Sequence, residues 1–231
     1  MTQIIPFKTG INSCYILKDK GVVLIDAPWP LNRKAFSGCL SASAIEAEEI
    51  QLIIPTHGEF DHAGGAREIL ELSAARIVMH EKDCSNLENR TFHWPEGVTA
   101  WGKISRAMFK PLLKAIGKFP AARVDIKLDD QGMSLEEYGI PGRIVYTPGH
   151  TYGSISVVLE SGDAFVGCLA QNRFPFGFRP KLPINAKDLE LLKKSWSKKR
   201  QMGARTNNTQ HRNHFQKKNI RKYLKCNNKI I

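Results

Sequence analysis

What this sequence lacks narrows its class before any motif is found. No run of about 18 apolar residues interrupts it, so no membrane-spanning helix is predicted. The opening Met1-Thr2-Gln3-Ile4-Ile5-Pro6-Phe7-Lys8 has neither the basic region, nor the long apolar stretch, nor the small-residue cleavage site of a secretory signal. The protein is therefore expected in the cytoplasm. Cysteine is sparse and odd in number. Cys14, Cys39, Cys84, Cys168 and Cys226 stand at unpatterned spacings, which argues against a disulfide framework and leaves each thiol free for core packing or ligation. Acidic residues are absent from residues 191–231, which hold 13 Lys/Arg, whereas residues 1–190 hold 21 Lys/Arg against all 22 Asp/Glu. The formal net charge of +12 thus belongs to the C-terminal segment. Such a basic arm can bind nucleic acid or anionic lipid, and a solvated terminal helix is the blander reading.

The 231 residues suffice for one substantial core, and a single domain over residues 1–231 is expected. Strands are predicted at 13–18 and 22–26, joined by the turn Lys18-Asp19-Lys20-Gly21. A helix near 42–49 leads to the β-branched run Gln51-Leu52-Ile53-Ile54-Pro55-Thr56, read as a buried strand. Helical spacing over 63–75 and a strand at 76–80 follow. Residues 85–123 then interrupt the alternation. Ile104, Met108, Leu112, Ile116 and Phe119 recur at intervals of three or four, predicting an amphipathic helical pair broken at Pro111. This insertion is expected to cap a pocket, although its lysine-rich polar side also suits a membrane surface. Strands return at 143–147, 154–159 and 164–167, a helix is predicted over 186–199, and a basic segment occupies 191–231.

The chemistry is concentrated in Pro55-Thr56-His57-Gly58-Glu59-Phe60-Asp61-His62-Ala63-Gly64-Gly65, where four potential metal ligands follow a strand directly. Carboxylates and imidazoles cannot be buried together cheaply without a counter-charge, and a bound dication supplies one. Two further residues fall at expected strand ends: His150 in Tyr146-Thr147-Pro148-Gly149-His150-Thr151, and Cys168 in Val166-Gly167-Cys168-Leu169. Alone, each has a bland reading, as a surface turn histidine and a core thiol.

Together with Asn12-Ser13-Cys14-Tyr15-Ile16-Leu17 and Leu24-Ile25-Asp26, these motifs resemble the metallo-β-lactamase superfamily over nearly the whole chain. The resemblance implies an α/β fold, a four-layer αβ/βα sandwich of two mixed sheets flanked by helices, with metals at one edge. Carried over position by position, it implies a first metal held by His57, Glu59 and His150. A second would be held by Asp61, His62, Cys168 and a C-terminal histidine, His211 or alternatively His214. Glu59 stands where the family usually has histidine; a similar His-x-Glu-x-Asp-His arrangement in flavodiiron proteins holds iron. Cys168 stands where aspartate is commonest, and its sulfur favours zinc. At the C-terminal end Asn207, Asn208 and Thr209 are unusual residues for the buried strand that the family places there.

The expected cofactor is therefore zinc, two ions per chain, with iron as the alternative. Two dications would balance Glu59, Asp61, a Cys168 thiolate and one hydroxide. The resemblance further implies hydrolysis of an ester, lactone, thioester, lactam or similar bond in a small-molecule substrate, by a hydroxide formed from water at the metals. Asp61 is the expected catalytic residue, orienting that nucleophile, and Asp26 is a candidate to support a ligand or to serve a turn. The rival readings are a nucleic-acid phosphodiester hydrolase or binding protein using the basic tail, and a redox or degenerate iron-binding member. Flavodiiron activity would require a flavin-binding domain for which the chain has no room.

Overall fold

The structure, a computed structural model, describes residues 1–9, 12–91, 94–116, 118–172, 180–181, 183–208 and 215–216. Its first sheet runs in the order β1 (Gln3–Thr9), β2 (Asn12–Lys18), β3 (Val22–Ile25), β4 (Ile50–Ile54), β5 (Arg76–His80) and β6 (Ile126–Leu128). The first three strands are antiparallel and β3 to β6 are parallel. The second sheet, wholly antiparallel, has the order β10 (Ala164–Phe165), β9 (Ile155–Leu159), β8 (Gly142–Tyr146), β7 (Met133–Ser134). The Lys18–Val22 pairing confirms the expected hairpin.

Side-chain alternation explains the layering. Ile16, Leu24, Ile53 and Ile77 face one core, where Phe36, Leu40, Ile69 and Leu87 from the helical side meet them. Their neighbours Leu17, Val23, Ile25, Leu52, Ile54 and Val78 face the other way, into a second core with Ile144, Ile155, Val157 and Phe165 of the opposing sheet. A third core joins Val145, Val158 and Ala164 to Leu192 and Trp196 of a C-terminal helix. Helices, sheet, sheet and helix are therefore stacked as the expected αβ/βα sandwich.

Several local expectations are corrected. β1 is not among the predicted strands, because Pro6 interrupts its pattern; as the edge strand it tolerates a residue without an N–H. The predicted helix at 42–49 is displaced. Asn32 caps α1 (Arg33–Ala42) by accepting from Ala35 N, and the positive φ of Ala44 follows the helix end, leaving only a 3₁₀ turn at Ala47–Glu49. The predicted helix over 63–75 divides into α2 (Phe60–Ala63) and α3 (Ala66–Leu70), since Gly65 donates to Ala27 O at 2.7 Å where the two meet. After α4 (Glu81–Glu88), the helix α5 (Ala100–Ile116) continues through Pro111 rather than breaking there.

On α5 the amphipathic pattern leaves part of its apolar face at the surface. Gly102 and Ser105 face the body, whereas Ile104, Met108 and Leu112 are more than half exposed. Gly102 has to be small because a Cβ there would lie 2.1 Å from Ile184 O. Near this contact Val98 N donates to Ile184 O, and Ala186 N donates to Glu96 O, both at 2.9 Å. The predicted helix at 186–199 is α6 (Leu189–Gln201), capped by Asp188. Beyond it, Asn208 adds to the edge of β10, donating to Ala164 O at 2.6 Å and accepting from Val166 N at 3.1 Å. Two short antiparallel pairs, β11 (Gln171–Asn172) with β12 (Pro180–Lys181) and β13 (Thr206–Asn207) with β14 (Phe215–Gln216), complete the described elements. No helix among the described residues is long and apolar enough to cross a membrane.

Candidate metal centre

The site lies where strands of the two sheets end on the same edge. β4 delivers Thr56 and His57; the extended Glu59 begins α2, whose first turn carries Asp61 and His62. His150 comes from the turn between β8 and β9, and Cys168 from the 3₁₀ turn Gly167–Leu169 after β10. Gly167 makes that last approach possible. Its φ is +48°, and a Cβ on it would sit 2.3 Å from Thr56 Oγ1.

The donor atoms fall into two groups that share His57: His57, Glu59 and His150 form one, and His57, His62 and Cys168 the other, with the atoms of each within 4.8 Å of one another. In the first, Glu59 Oε2 lies 3.7 Å from His57 Nε2 and Glu59 Oε1 lies 3.3 Å from His150 Nε2. In the second, His62 Nε2 is 3.3 Å from Cys168 Sγ. Asp61 occupies the more open rim, with Oδ2 at 3.9 Å from His62 Nε2 and a side chain 21 % exposed. His211, and the alternative His214, lie outside the described residues.

The other face of each imidazole is held. Nδ1 of His57 meets Thr56 Oγ1 at 3.2 Å, Nδ1 of His62 meets Asp26 Oδ2 at 3.1 Å, and Nδ1 of His150 meets Asn185 O at 2.9 Å. With the ring proton on Nδ1 in each case, the Nε2 lone pairs point inward, the arrangement that second partners impose on ligating histidines. Asp26 is placed for both roles considered for it. Its backbone turns at φ 61°, and its Oδ1 accepts from Thr56 N at 2.7 Å and Thr56 Oγ1 at 2.9 Å. A non-glycine residue in this region carries strain that the surrounding bonds must hold.

His57 Nε2, Glu59 Oε1 and His150 Nε2 are buried without a hydrogen-bond partner among the described residues. The contact between the last two is close, yet it lacks hydrogen-bonding geometry. Each such atom costs about 1–3 kcal/mol of unrecovered desolvation. A cation at their common focus satisfies all three, so these residues fit a metal. The electrostatics agree. Burial opposes ionisation of Glu59, but His150 and His57 outweigh it and hold its carboxyl far below the usual carboxylate range. Burial likewise opposes a charged His150, whereas Cys168 and Glu59 outweigh it and raise its pKa to about 10. His62 is raised to about 9, with Asp26, Cys168 and Asp61 overcoming burial and the His57 charge. Unscreened anions thus draw protons into the space that a dication would neutralise.

Sequence reading missed two contributors to this framework. Asn185 acts through its backbone carbonyl, which leaves no residue-type signal. Asp83, at the start of α4, is buried and bonded to the loops of both His57 and His150. In the sequence it lies between the strand predicted at 76–80 and the insertion at 85–123 and belongs to no motif.

Fold and site together are those of an α/β sandwich with a candidate metal centre at one edge of its two sheets. The family profile of the metallo-beta-lactamase superfamily matches residues 8–206, and the chain belongs to that superfamily. Among curated proteins it is similar to the probable metallo-hydrolase YflN of Bacillus subtilis (strain 168), 29 % identical over 154 residues that cover 62 % of this chain and 55 % of the relative. It is also similar to the probable metallo-hydrolase MJ0888 of Methanocaldococcus jannaschii, 32 % identical over 114 residues covering 49 % of this chain and 47 % of that protein. The chain thus spans about half the length of the curated relatives it matches. The metallo-beta-lactamase family protein TTHA1429 of Thermus thermophilus shares its fold with TM-score 0.68 at 18 % identity, over 98 % of this chain and 79 % of that one. The archaeal superfamily protein ST1585 of Sulfolobus tokodaii gives TM-score 0.66 at 20 % identity, over 100 % of this chain and 87 % of that one.

Proposed function

We propose that the chain is a metal-dependent hydrolase acting on an ester, lactone, thioester, lactam or similar bond of a small molecule. His57, Glu59 and His150 hold one metal; Asp61, His62, Cys168 and a C-terminal histidine, His211 or His214, hold a second. The carrying observation is the focus of three buried donor atoms, His57 Nε2, Glu59 Oε1 and His150 Nε2, that have no hydrogen-bond partner among the described residues. The naming of both curated relatives as probable metallo-hydrolases supports the same reading. Zinc is the proposed ion, on the strength of the Cys168 thiolate and the imidazoles.

When bound, such ions supply Lewis acidity and bring water deprotonation near neutral pH. The chain's own residues do the rest. Asp26, Thr56 and Asn185 accept the Nδ1 protons and so aim each Nε2 inward as the ligand atom. Asp61, on the open rim, accepts a hydrogen bond from the attacking water and orients it toward the substrate carbonyl. Residues 1–231 act as one domain in this reading, with 85–123 as a helical insertion and 191–231 as a basic segment.

Metal analysis of protein purified without added metal, joined to hydrolysis assays over these substrate classes with and without chelator, tests the proposal. Two zinc ions per chain and turnover that chelation abolishes are expected. Iron at the site would favour the redox reading prompted by Glu59. Failure to take up any metal would sink the proposal.

A further inference from the structure

We infer that Asp83 is a positioning residue that sets the separation of the two loops carrying His57, Glu59 and His150, and thereby the metal affinity of that triad. The inference rests on the metal-centre reading above. Asp83 stands in the first turn of α4, only 3 % exposed. Its Oδ2 accepts from Gly58 N at 2.9 Å and from Thr151 Oγ1 at 2.6 Å, and its Oδ1 accepts from Gly153 N at 3.1 Å. Gly58 lies between His57 and Glu59, and Thr151 directly follows His150. One carboxylate therefore binds the loop after β4 in the first sheet and the turn between β8 and β9 in the second.

The contact is built for close approach. A Cβ on Gly153 would lie 2.5 Å from Asp83 Cγ, and a Cβ on Gly58 would lie 2.8 Å from Asp83 O and from Asn86 Cβ. Side chains at either glycine would push the loops off the carboxylate. Thr151 is itself fixed, since its N–H donates to Ser154 Oγ at 3.0 Å. The donors around Asp83 also demand a carboxylate rather than an amide. Both of its oxygens face N–H groups, and an asparagine of the same shape would turn its NH₂ against one of them. Besides this clamp, Ile155 N donates to Thr56 O at 2.8 Å and joins the strand ends themselves, whereas Asp83 holds the loops beyond them, which carry Glu59 and His150. A displacement well under an ångström is enough to weaken coordination at distances as short as those of a metal–imidazole bond.

The blander alternative is a buried helix-start acid that stabilises the fold and nothing else. Metal titration separates the two. The full chain is stripped of metal, then titrated with Co²⁺ by visible absorption and with Zn²⁺ against a chelating indicator. Wild type, Asp83→Asn, Thr151→Val and Ile140→Ala are compared. Ile140 is buried at the opposite end of the sheets, beside the Lys20–Gly139 contact, and Ile140→Ala controls for a general loss of stability.

Asp83→Asn is expected to weaken metal binding about ten- to a hundredfold, as loss of an outer partner typically does, and to alter the Co²⁺ absorption band. Thr151→Val, which breaks one of the bonds and leaves the carboxylate in place, should weaken binding severalfold and supplies the answer if Asp83→Asn does not fold. Ile140→Ala should lower Tm with affinity and spectrum unchanged. Wild-type affinity and spectrum in the folded position-83 variant, or in Thr151→Val if that alone folds, would overturn the inference. So would an equal loss of affinity in Ile140→Ala. Absence of metal binding in the wild type would instead overturn the metal-centre reading and the positioning role with it.

Discussion

The donors on the Glu59 side of His57 and those on the Cys168 side are assembled in different ways. On the Glu59 side, three buried atoms face a common point without hydrogen-bond partners among the described residues, and Asp83 ties their two loops together. On the Cys168 side, His62 Nε2 already contacts the thiol at 3.3 Å, and Asp61 stands at the exposed rim. A metal entering the first group replaces the 3.3 Å His150–Glu59 contact and the proton that Cys168 and Glu59 hold on His150 up to about pH 10. One entering the second must replace the His62–Cys168 contact and take the thiol as thiolate. The first group, with its unpartnered buried donors and clamped loops, should bind more tightly, and both groups should gain affinity as pH rises.

His150→Ala breaks the comparison most severely. It removes a donor from the tighter group, and loss of a ligand exceeds the roughly hundredfold effect of losing an outer partner. Hydrolysis should fall by more than about a hundredfold, with uptake of the first metal equivalent lost in a calorimetric titration. If His150→Ala keeps both metals at wild-type affinity, the first group is wrongly composed.

Asp61→Asn comes next. Shape is preserved while the anion at the rim is lost, so the far-ultraviolet circular dichroism spectrum should match wild type as most turnover disappears. Retained turnover on any confirmed substrate would remove Asp61 from the catalytic role.

Titration sharpens the contrast with a smaller effect. In the metal-free protein His62 and His150 hold protons up to about pH 9 and about pH 10, against an ordinary value of 6.5. Raised folded-state values stabilise the fold fully below about pH 6.5, and that stabilisation is lost as pH climbs through 9 and 10. The Tm of metal-free protein should therefore decline across this window. Metal competes with the same protons, so its affinity should climb over the same range. A metal-induced gain in Tm that shrinks with rising pH would contradict this account.

The smallest expected effect is at the C-terminal ligand. His211→Ala should weaken the second metal while the first stays, because three remaining donors still bind zinc with water in the open position. Loss of the second metal in His214→Ala instead would transfer the role. Unchanged stoichiometry in both would leave the basic C-terminal segment without a ligand role, its binding to polyanions tested by salt dependence.

How much of this was legible in the sequence depends on the range of each interaction. His57, Glu59, Asp61 and His62 stand out because one strand end and one short helix carry them all. His150 and Cys168 are ordinary residues until the resemblance joins them to that motif. The edge strand β1 is hidden by Pro6, and α5 passes through Pro111 although proline normally breaks a helix interior at a cost of about 3 kcal/mol.

The sequence by itself determined the two-faced strands, through alternation of β-branched residues that must be buried on both sides, and the local cluster of ligand types that no unpaired interior tolerates. Tertiary structure decided the rest. Only tertiary packing sets Asn185 O against His150, seats Gly102 of α5 on Ile184 so that Ile104, Met108 and Leu112 lie outward, and brings Asp83 to Gly58 and Gly153. The reason is physical: a backbone carbonyl is carried by every residue, and a single buried carboxylate acquires its meaning from donors contributed by distant loops, so neither leaves a periodic or compositional trace in the chain.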